Sequence, residues 1–315
     1  MAMKTRGNTL QKVLVVILII AAAVAVAEHF YLMNLSSRLE TAKSDLSSLQ
    51  QQVTDAQTSN EELQTKESEQ TIAYRNAQGR MSFLGNGTGK VCYLTFDDGP
   101  YANNTKKNLA TLKKKGAVAT WFCLANDEEQ DYLSLDLCKD IEAAGCAIGV
   151  HDWEQDESYS YYKGSVQNYF DTDFDKTKKK LEGIVGHEIN ICRFAGGSAT
   201  IGYYNEKNRK ALPIAMLKKG IQYFDWNVSA GDADPSQFVG TSTPKDKIVS
   251  NVLKDAKYFA KKNSPICVLM HDNPGKETTA EALPEIIDGL KELGYTFDVL
   301  TNDTPGFYQQ VLVDD

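Results

Sequence analysis

The chain reads as an α/β protein: one large domain built on a parallel sheet, carried behind a long helical arm. Three observations predict this. From about residue 91, apolar strand-length runs alternate with helical stretches, the pattern of repeated strand-helix-strand units around a sheet that is closed or open. Four helical stretches stop at glycines that lead into the next run, Gly116, Gly145, Gly220 and Gly294, and glycine past a helix end takes the left-handed conformation without a Cβ penalty. Five runs, VCYLTF, AIGV, NICRF, QYFDW and ICVLM, end on Asp97-Asp98, His151, Arg193, Asp225 and His271. Chemistry therefore gathers where strands stop, as in enzymes built from alternating strands and helices.

Composition sets the bounds. At 315 residues, 42% hydrophobic and 24% charged, the chain can bury one full-sized core and still carry an appendage. A net charge of -8 argues against nucleic acid, which needs a concentrated basic surface. The lysine runs at 113–115 and 178–180 lie in helix-like segments and read as solvated faces. Six cysteines occur without a C-x-x-C pair, which removes the usual zinc-ribbon and thioredoxin readings. Four sit in apolar strand-like runs and read as buried thiols; Cys138 and Cys146 flank a helix end and bridge only if the local geometry allows.

The arm comes first. Lys4, Arg6 and Lys12 precede an apolar run over 13–27, and Glu28 and His29 separate it from a second apolar patch at 30–33. Fifteen residues is short for a span that needs ~20, and Ala25-Val26-Ala27 offers a signal-cleavage pattern. The next thirty residues favour an anchor. Leu32, Leu35, Leu39, Ala42, Leu46, Leu49, Val53, Ala56, Asn60 and Leu63 alternate spacings of three and four, the heptad seam of a coiled coil. At ~1.5 Å per residue that helix reaches roughly 50 Å, long enough to lift a domain off a membrane. Ala42, Ala56 and Asn60 weaken the seam, which leaves a solitary helix as the alternative to a homodimer. Positive charge before the apolar run places the stalk and domain outside the cytoplasm. The expected organisation is a cytoplasmic end at 1–12, a transmembrane anchor at 13–33, a coiled-coil stalk at 34–73, a flexible glycine-bearing linker at 74–90, the globular domain at 91–305 and a tail at 306–315.

Adjacent carboxylates at Asp97 and Asp98 alternate in direction if both lie on a strand, and so suit different tasks, one binding a cation and one taking a proton. Asp-Asp-Gly-Pro is also ordinary turn chemistry.

Taken with the later runs, Thr95-Phe96-Asp97-Asp98-Gly99 resembles the first motif of the NodB-type polysaccharide deacetylases, carbohydrate esterase family 4, and five separated motifs follow the family's order from about 91 to 299. The resemblance implies an irregular (β/α) barrel that hydrolyses N-acetyl or O-acetyl groups with a cation-activated water. It implies Asp97 as general base and Asp98 as metal ligand. His151-Asp152-Trp153-Glu154-Gln155 stands where the family has His-Ser/Thr-x-x-His, so His151 matches a ligand and Gln155 replaces the second histidine. A neutral amide oxygen is a weaker zinc ligand than imidazole. Three outcomes are open: Gln155 ligates through its oxygen, Glu154 or Asp156 supplies a carboxylate, or the site holds no metal. His187 reads as an ordinary surface residue.

Arg193-Phe194-Ala195-Gly196-Gly197 resembles the third motif. It implies that Arg193 orients the base in a bidentate pair and that a backbone N–H near Gly196 serves as oxyanion donor. Asp225-Trp226 resembles the fourth, with Asp225 keeping the catalytic histidine protonated and Trp226 walling the pocket. Leu269-Met270-His271 resembles the fifth, with Leu269 lining the acetyl pocket and His271 as general acid. Together these imply a membrane-anchored, extracytoplasmic, metal-dependent deacetylase of cell-wall amino sugars, in peptidoglycan or a chitin-like polymer, with zinc as the expected divalent cation. The alternatives are a catalytically silent glycan-binding or scaffolding protein, which Gln155 favours, and an O-acetyl esterase with the same machinery.

Overall fold

The computed structural model describes residues 3–154, 159–233 and 242–312. The chain divides into two units, Met1–Glu67 and Ser68–Asp315. The first unit is the leading part of one uninterrupted helix, α1, Met3–Leu84. Its early portion is long and apolar enough to cross a membrane. The seam residues Leu35, Leu39, Leu46, Leu49, Val53 and Leu63 are all exposed along it.

The second unit starts within α1 and continues through β1 (Val91–Gly99), α2 (Ala102–Lys115), β2 (Ala119–Cys123), α3 (Leu137–Ala143), β3 (Ala147–Val150), α4 (Val166–Tyr169) and α5 (Asp175–Val185). It goes on to β4 (Ile191–Cys192), α6 (Ser198–Tyr204), α7 (Asn208–Lys218), β5 (Gln222–Tyr223), β6 (Val228–Ser229), α8 (Lys245–Lys261), β7 (Ile266–His271), α9 (Glu277–Glu292) and β8 (Thr296–Phe297). All strand pairs are parallel, in the order β5-β4-β3-β2-β1-β7-β6, with β8 joined to the start of β1.

Chain connectivity forces this sheet to curl. The two outermost strands, β5 and β6, are separated only by residues 224–227. Such a link spans at most roughly 18 Å at ~3.6 Å per residue. A flat sheet of seven strands at ~4.8 Å spacing would hold its edges roughly 29 Å apart. The result is a parallel sheet curled into a half-barrel, where an irregular (β/α) barrel was expected.

Alternation along β1 sorts its side chains. Cys92, Leu94 and Phe96 are fully buried in the outer core, where Phe96 stacks on Trp121 at 4.7 Å. Thr95 and Asp97 point the other way, into the barrel, where both meet Arg193. All six cysteines are buried free thiols, so Cys138 and Cys146 do not bridge.

Two boundaries differ from expectation. The segment expected as a flexible linker at 74–90 is helical to Leu84 and packed on the domain, which therefore begins near residue 68 rather than 91. Ile72, Asn76 and Ser82 are buried. Arg75 Nη1 donates to Gln222 Oε1 on β5, and Asn227 Nδ2, just before β6, donates to the Ser82 carbonyl at 3.3 Å. The end of α1 thus lies along the open seam of the barrel. Gly79 is there for contact: a Cβ would fall 2.4 Å from the Tyr308 ring. The tail at 306–315 is likewise core as far as it is described, since Phe307, Tyr308 and Leu312 are buried and Tyr308 stacks on Tyr223 at 4.1 Å.

Candidate active site

β1 and β7 are in register with Asp97 opposite His271, and β2 and β3 end beside them, so the strand ends bring the chemistry to one rim. The strict alternation expected for Asp97 and Asp98 fails. The register with β2 shifts between Asp97 and Gly99, and Asp98 has φ of 67°, a conformation that costs a non-glycine residue strain and recurs at functional sites. This bulge lets both carboxylates face one way. Asp98 Oδ1 lies 3.3 Å and Asp97 Oδ2 3.9 Å from His151 Nε2. His151 Nδ1 lies 2.8 Å from the Arg193 carbonyl, so it donates there and leaves Nε2 toward the carboxylates.

Arg193 is fully buried and bridges the barrel interior. Nη1 donates to Asp97 Oδ1 at 2.9 Å and to Thr95 Oγ1, Nε donates to the Phe224 carbonyl, and Nη2 donates to the Asp225 carbonyl at 3.3 Å. Its grip on Asp97 is through one nitrogen, not the bidentate pair expected, because the remaining donors tie down the β5–β6 link.

Asp225 is not the partner of His271. It is buried and accepts Ser198 N at 2.7 Å, Ser198 Oγ at 2.6 Å and Gln309 N at 2.8 Å. Burial raises its pKa against those hydrogen bonds. Its task is to fasten the start of α6 and the C-terminal segment beside the Gly196-Gly197 turn. The partner is Asp232, whose Oδ1 accepts His271 Nδ1–H at 2.9 Å while Oδ2 accepts His271 N and Thr279 Oγ1, each at 2.9 Å. Sequence reasoning missed it because the Asp-Trp pair drew the assignment. A signal was present: Asp232 follows the short strand-like run NVSA with only Gly231 between.

These contacts set the charges of the site. Burial lowers the pKa of His271, but Asp232 overrides it and lifts the group to about 9. Burial likewise disfavours a charged His151, and Asp152, Asp97 and Asp98 outweigh it, lifting the group to about 10. Burial pushes Asp98 up, yet hydrogen bonding from His151 and the charges of His271, His151 and Lys276 hold it below the usual range.

A cavity of about 600 Å³ opens over this cluster, lined among others by Asp97, Asp98, His151, Gly196, Trp226, Leu269 and His271. The sequence-selected residues described are therefore together, with Arg193 beneath Asp97 and Asp225 behind the wall. Tyr159, Ala233 and Lys276 also line it and were not foreseen. Gln155 and Asp156 lie outside the described residues. Glu154 is turned to Asn126 and Tyr161, at 2.6 and 3.4 Å, and does not line the cavity. Among the described residues, no group of three or more His, Cys, Asp or Glu is disposed to hold a metal ion. Asp98 and His151 fit two donor positions by their chemistry. Their nitrogen and oxygen converge, and the surplus negative charge that raises His151 is what a cation would neutralise.

Comparison with known proteins agrees. Residues 85–215 match the polysaccharide deacetylase family model. A putative polysaccharide deacetylase of Bacillus subtilis, YheN, is 30% identical over 217 residues, 67% of each chain. A peptidoglycan-N-acetylglucosamine deacetylase of Bacillus cereus is 28% identical over 288 residues, 91% of each chain. The crystal structure of the catalytic domain of a peptidoglycan N-acetylglucosamine deacetylase from Eubacterium rectale superposes with a TM-score of 0.60 at 30% identity, covering 70% of this chain and 93% of that one. The chain belongs to the NodB-type polysaccharide deacetylases of carbohydrate esterase family 4. It is a hydrolase of the class that acts on N-acetyl amide bonds.

Proposed function

We propose that this protein is a membrane-anchored, extracytoplasmic, metal-dependent deacetylase that removes N-acetyl groups from cell-wall amino sugars, in peptidoglycan or a related glycan. The observation that carries the reading is the meeting in one cavity of Asp97, held by Arg193, and His271, held as a cation by Asp232. A proton acceptor and a proton donor face the same space, which is what amide hydrolysis requires.

Asp98 and His151 would hold a divalent cation, zinc being the expected ion, and Gln155 is the expected further donor. Bound there, the cation lowers the pKa of a water and polarises the acetyl carbonyl. Asp97, aimed by Arg193, takes a proton from the attacking water. The Gly196 backbone N–H faces the developing oxyanion. His271 gives its proton to the departing nitrogen as the C–N bond breaks, leaving acetate and a free amine. Leu269 and Trp226 wall the methyl group. The apolar residues 13–33 supply the anchor. The exposed heptad seam over 32–63 favours pairing of two copies, because a row of exposed leucines gains from mutual burial.

The test uses the full chain in detergent, stripped of metal and then titrated with zinc, with acetate release measured on peptidoglycan and on N-acetylglucosamine oligomers. Zinc-dependent release that is lost in Asp98→Asn, and reduced about 10²–10⁴-fold in His271→Ala, is expected. A folded protein that binds no zinc and releases no acetate would favour the silent glycan-binding alternative. Release from O-acetylated but not N-acetylated substrate would favour the esterase.

A further inference from the structure

Three tyrosines lead out from the catalytic cavity in an unbroken row. Tyr159 lines the cavity from the connection that follows His151. Its ring stacks on Tyr204 with centroids 5.0 Å apart and planes 7° apart. Tyr204 meets Tyr203 edge to face at 5.4 Å. Both end α6, the helix that follows the Gly196-Gly197 turn at the cavity wall, so two separate loops converge to build the row. The far end of the row is the more open: Tyr159 is 42% exposed and Tyr203 87%.

Folding does not account for this placement. A ring left 87% in water contributes almost nothing to the core. One exposed aromatic needs no explanation, and Tyr258 on α8 is of that kind. A contiguous row that begins inside a catalytic cavity marks a surface for a ligand. Sugar rings present apolar C–H faces edged by hydroxyls, which match a tyrosine with its apolar ring and polar tip. Tyrosine also gives contact area at low conformational cost, having few rotatable bonds to freeze. The stacked Tyr159–Tyr204 pair is held further by Gly196, whose missing side chain lets the Tyr159 ring lie 3.2 Å from where a Cβ would stand.

We propose that Tyr159, Tyr204 and Tyr203 form a stacking platform for the sugar units next to the one being deacetylated. The ligand class rests on the deacetylase reading. The test measures, by calorimetry on the full chain in detergent, the affinity for N-acetylglucosamine oligomers of two to five units. Tyr203→Ala is the leading variant, because so exposed a ring can be removed without opening the core, and a thermal melt checks that the fold is kept. Affinity in the parent should rise with chain length. In Tyr203→Ala and Tyr204→Ala that rise should be lost, with the pentamer bound roughly ten-fold more weakly, equivalent to about 1.4 kcal/mol. Tyr203→Phe, which keeps the ring, should retain it. Equal pentamer affinity in parent and Tyr203→Ala, or no gain with length in the parent, overturns the platform. Acetate release from the same samples reports separately: length-dependent, Tyr203-dependent binding without acetate would retire the deacetylase reading and leave the platform standing.

Discussion

At the residue scale, the hydrogen bond between His271 Nδ1 and Asp232 Oδ1 governs the charge of the imidazole. The neighbouring carboxylate lifts His271 from 6.5 to about 9 against the opposing effect of burial, so the imidazole is cationic at neutral pH and ready to give a proton. Activity should fall as pH rises through about 9. Asp232→Asn keeps the shape and removes the charge, leaving burial opposed only by Asp98 and Asp97, so the alkaline limb of kcat should move down by about two pH units, with about a ten-fold loss at pH ~8. A pH profile of kcat for both proteins checks this, and an unmoved limb would show that Asp232 does not govern the acid. Stability follows the same linkage. A histidine whose folded pKa is raised contributes fully below 6.5, and that contribution is lost as pH rises through about 9. The parent's melting temperature should therefore decline more steeply than the variant's between pH 6.5 and about 9.

At the element scale, the last turns of α1 and the C-terminal segment do the work of a missing strand pair. β5 and β6 do not bond to each other, and α1 from Ser68 onward covers that seam with Ile72 buried and with Arg75 and Arg80 donating to Gln222 and to the Tyr308 and Gln309 carbonyls. A protein beginning at Ser68 should therefore fold with full stability. One beginning at Val91 should lose at least about 2 kcal/mol, the order for one buried isoleucine with its accompanying hydrogen bonds. Urea unfolding of the two truncations checks it, and equal midpoints would return the domain boundary to residue 91.

At the scale of the whole molecule, the apolar side chains of residues 13–33 are exposed throughout. The proposed anchoring would bury that surface in a bilayer. The full chain should sediment with membranes through high-salt and alkaline washes, and removal of residues 1–33 should release it. A mature N-terminus just after Ala27 would instead mark the run as a signal peptide. The long helix, the strand order of the motifs and the gathering of Asp97, Asp98, His151, Arg193 and His271 were all legible in the sequence, because periodicity and strand-end placement are local properties of the chain. The rest depends on contacts between distant residues. Asp225 and Asp232 stand on either side of β6, and only the curl of the sheet decides that the second meets His271 while the first fastens α6 and the C-terminal segment. Gly79 looked like a flexible joint until the Tyr308 ring, far along the chain, occupied the space of its side chain. The bulge that turns Asp98 toward His151 likewise comes from pairing with β2. Local patterning singled out the candidate residues, and tertiary packing decided which of them touch.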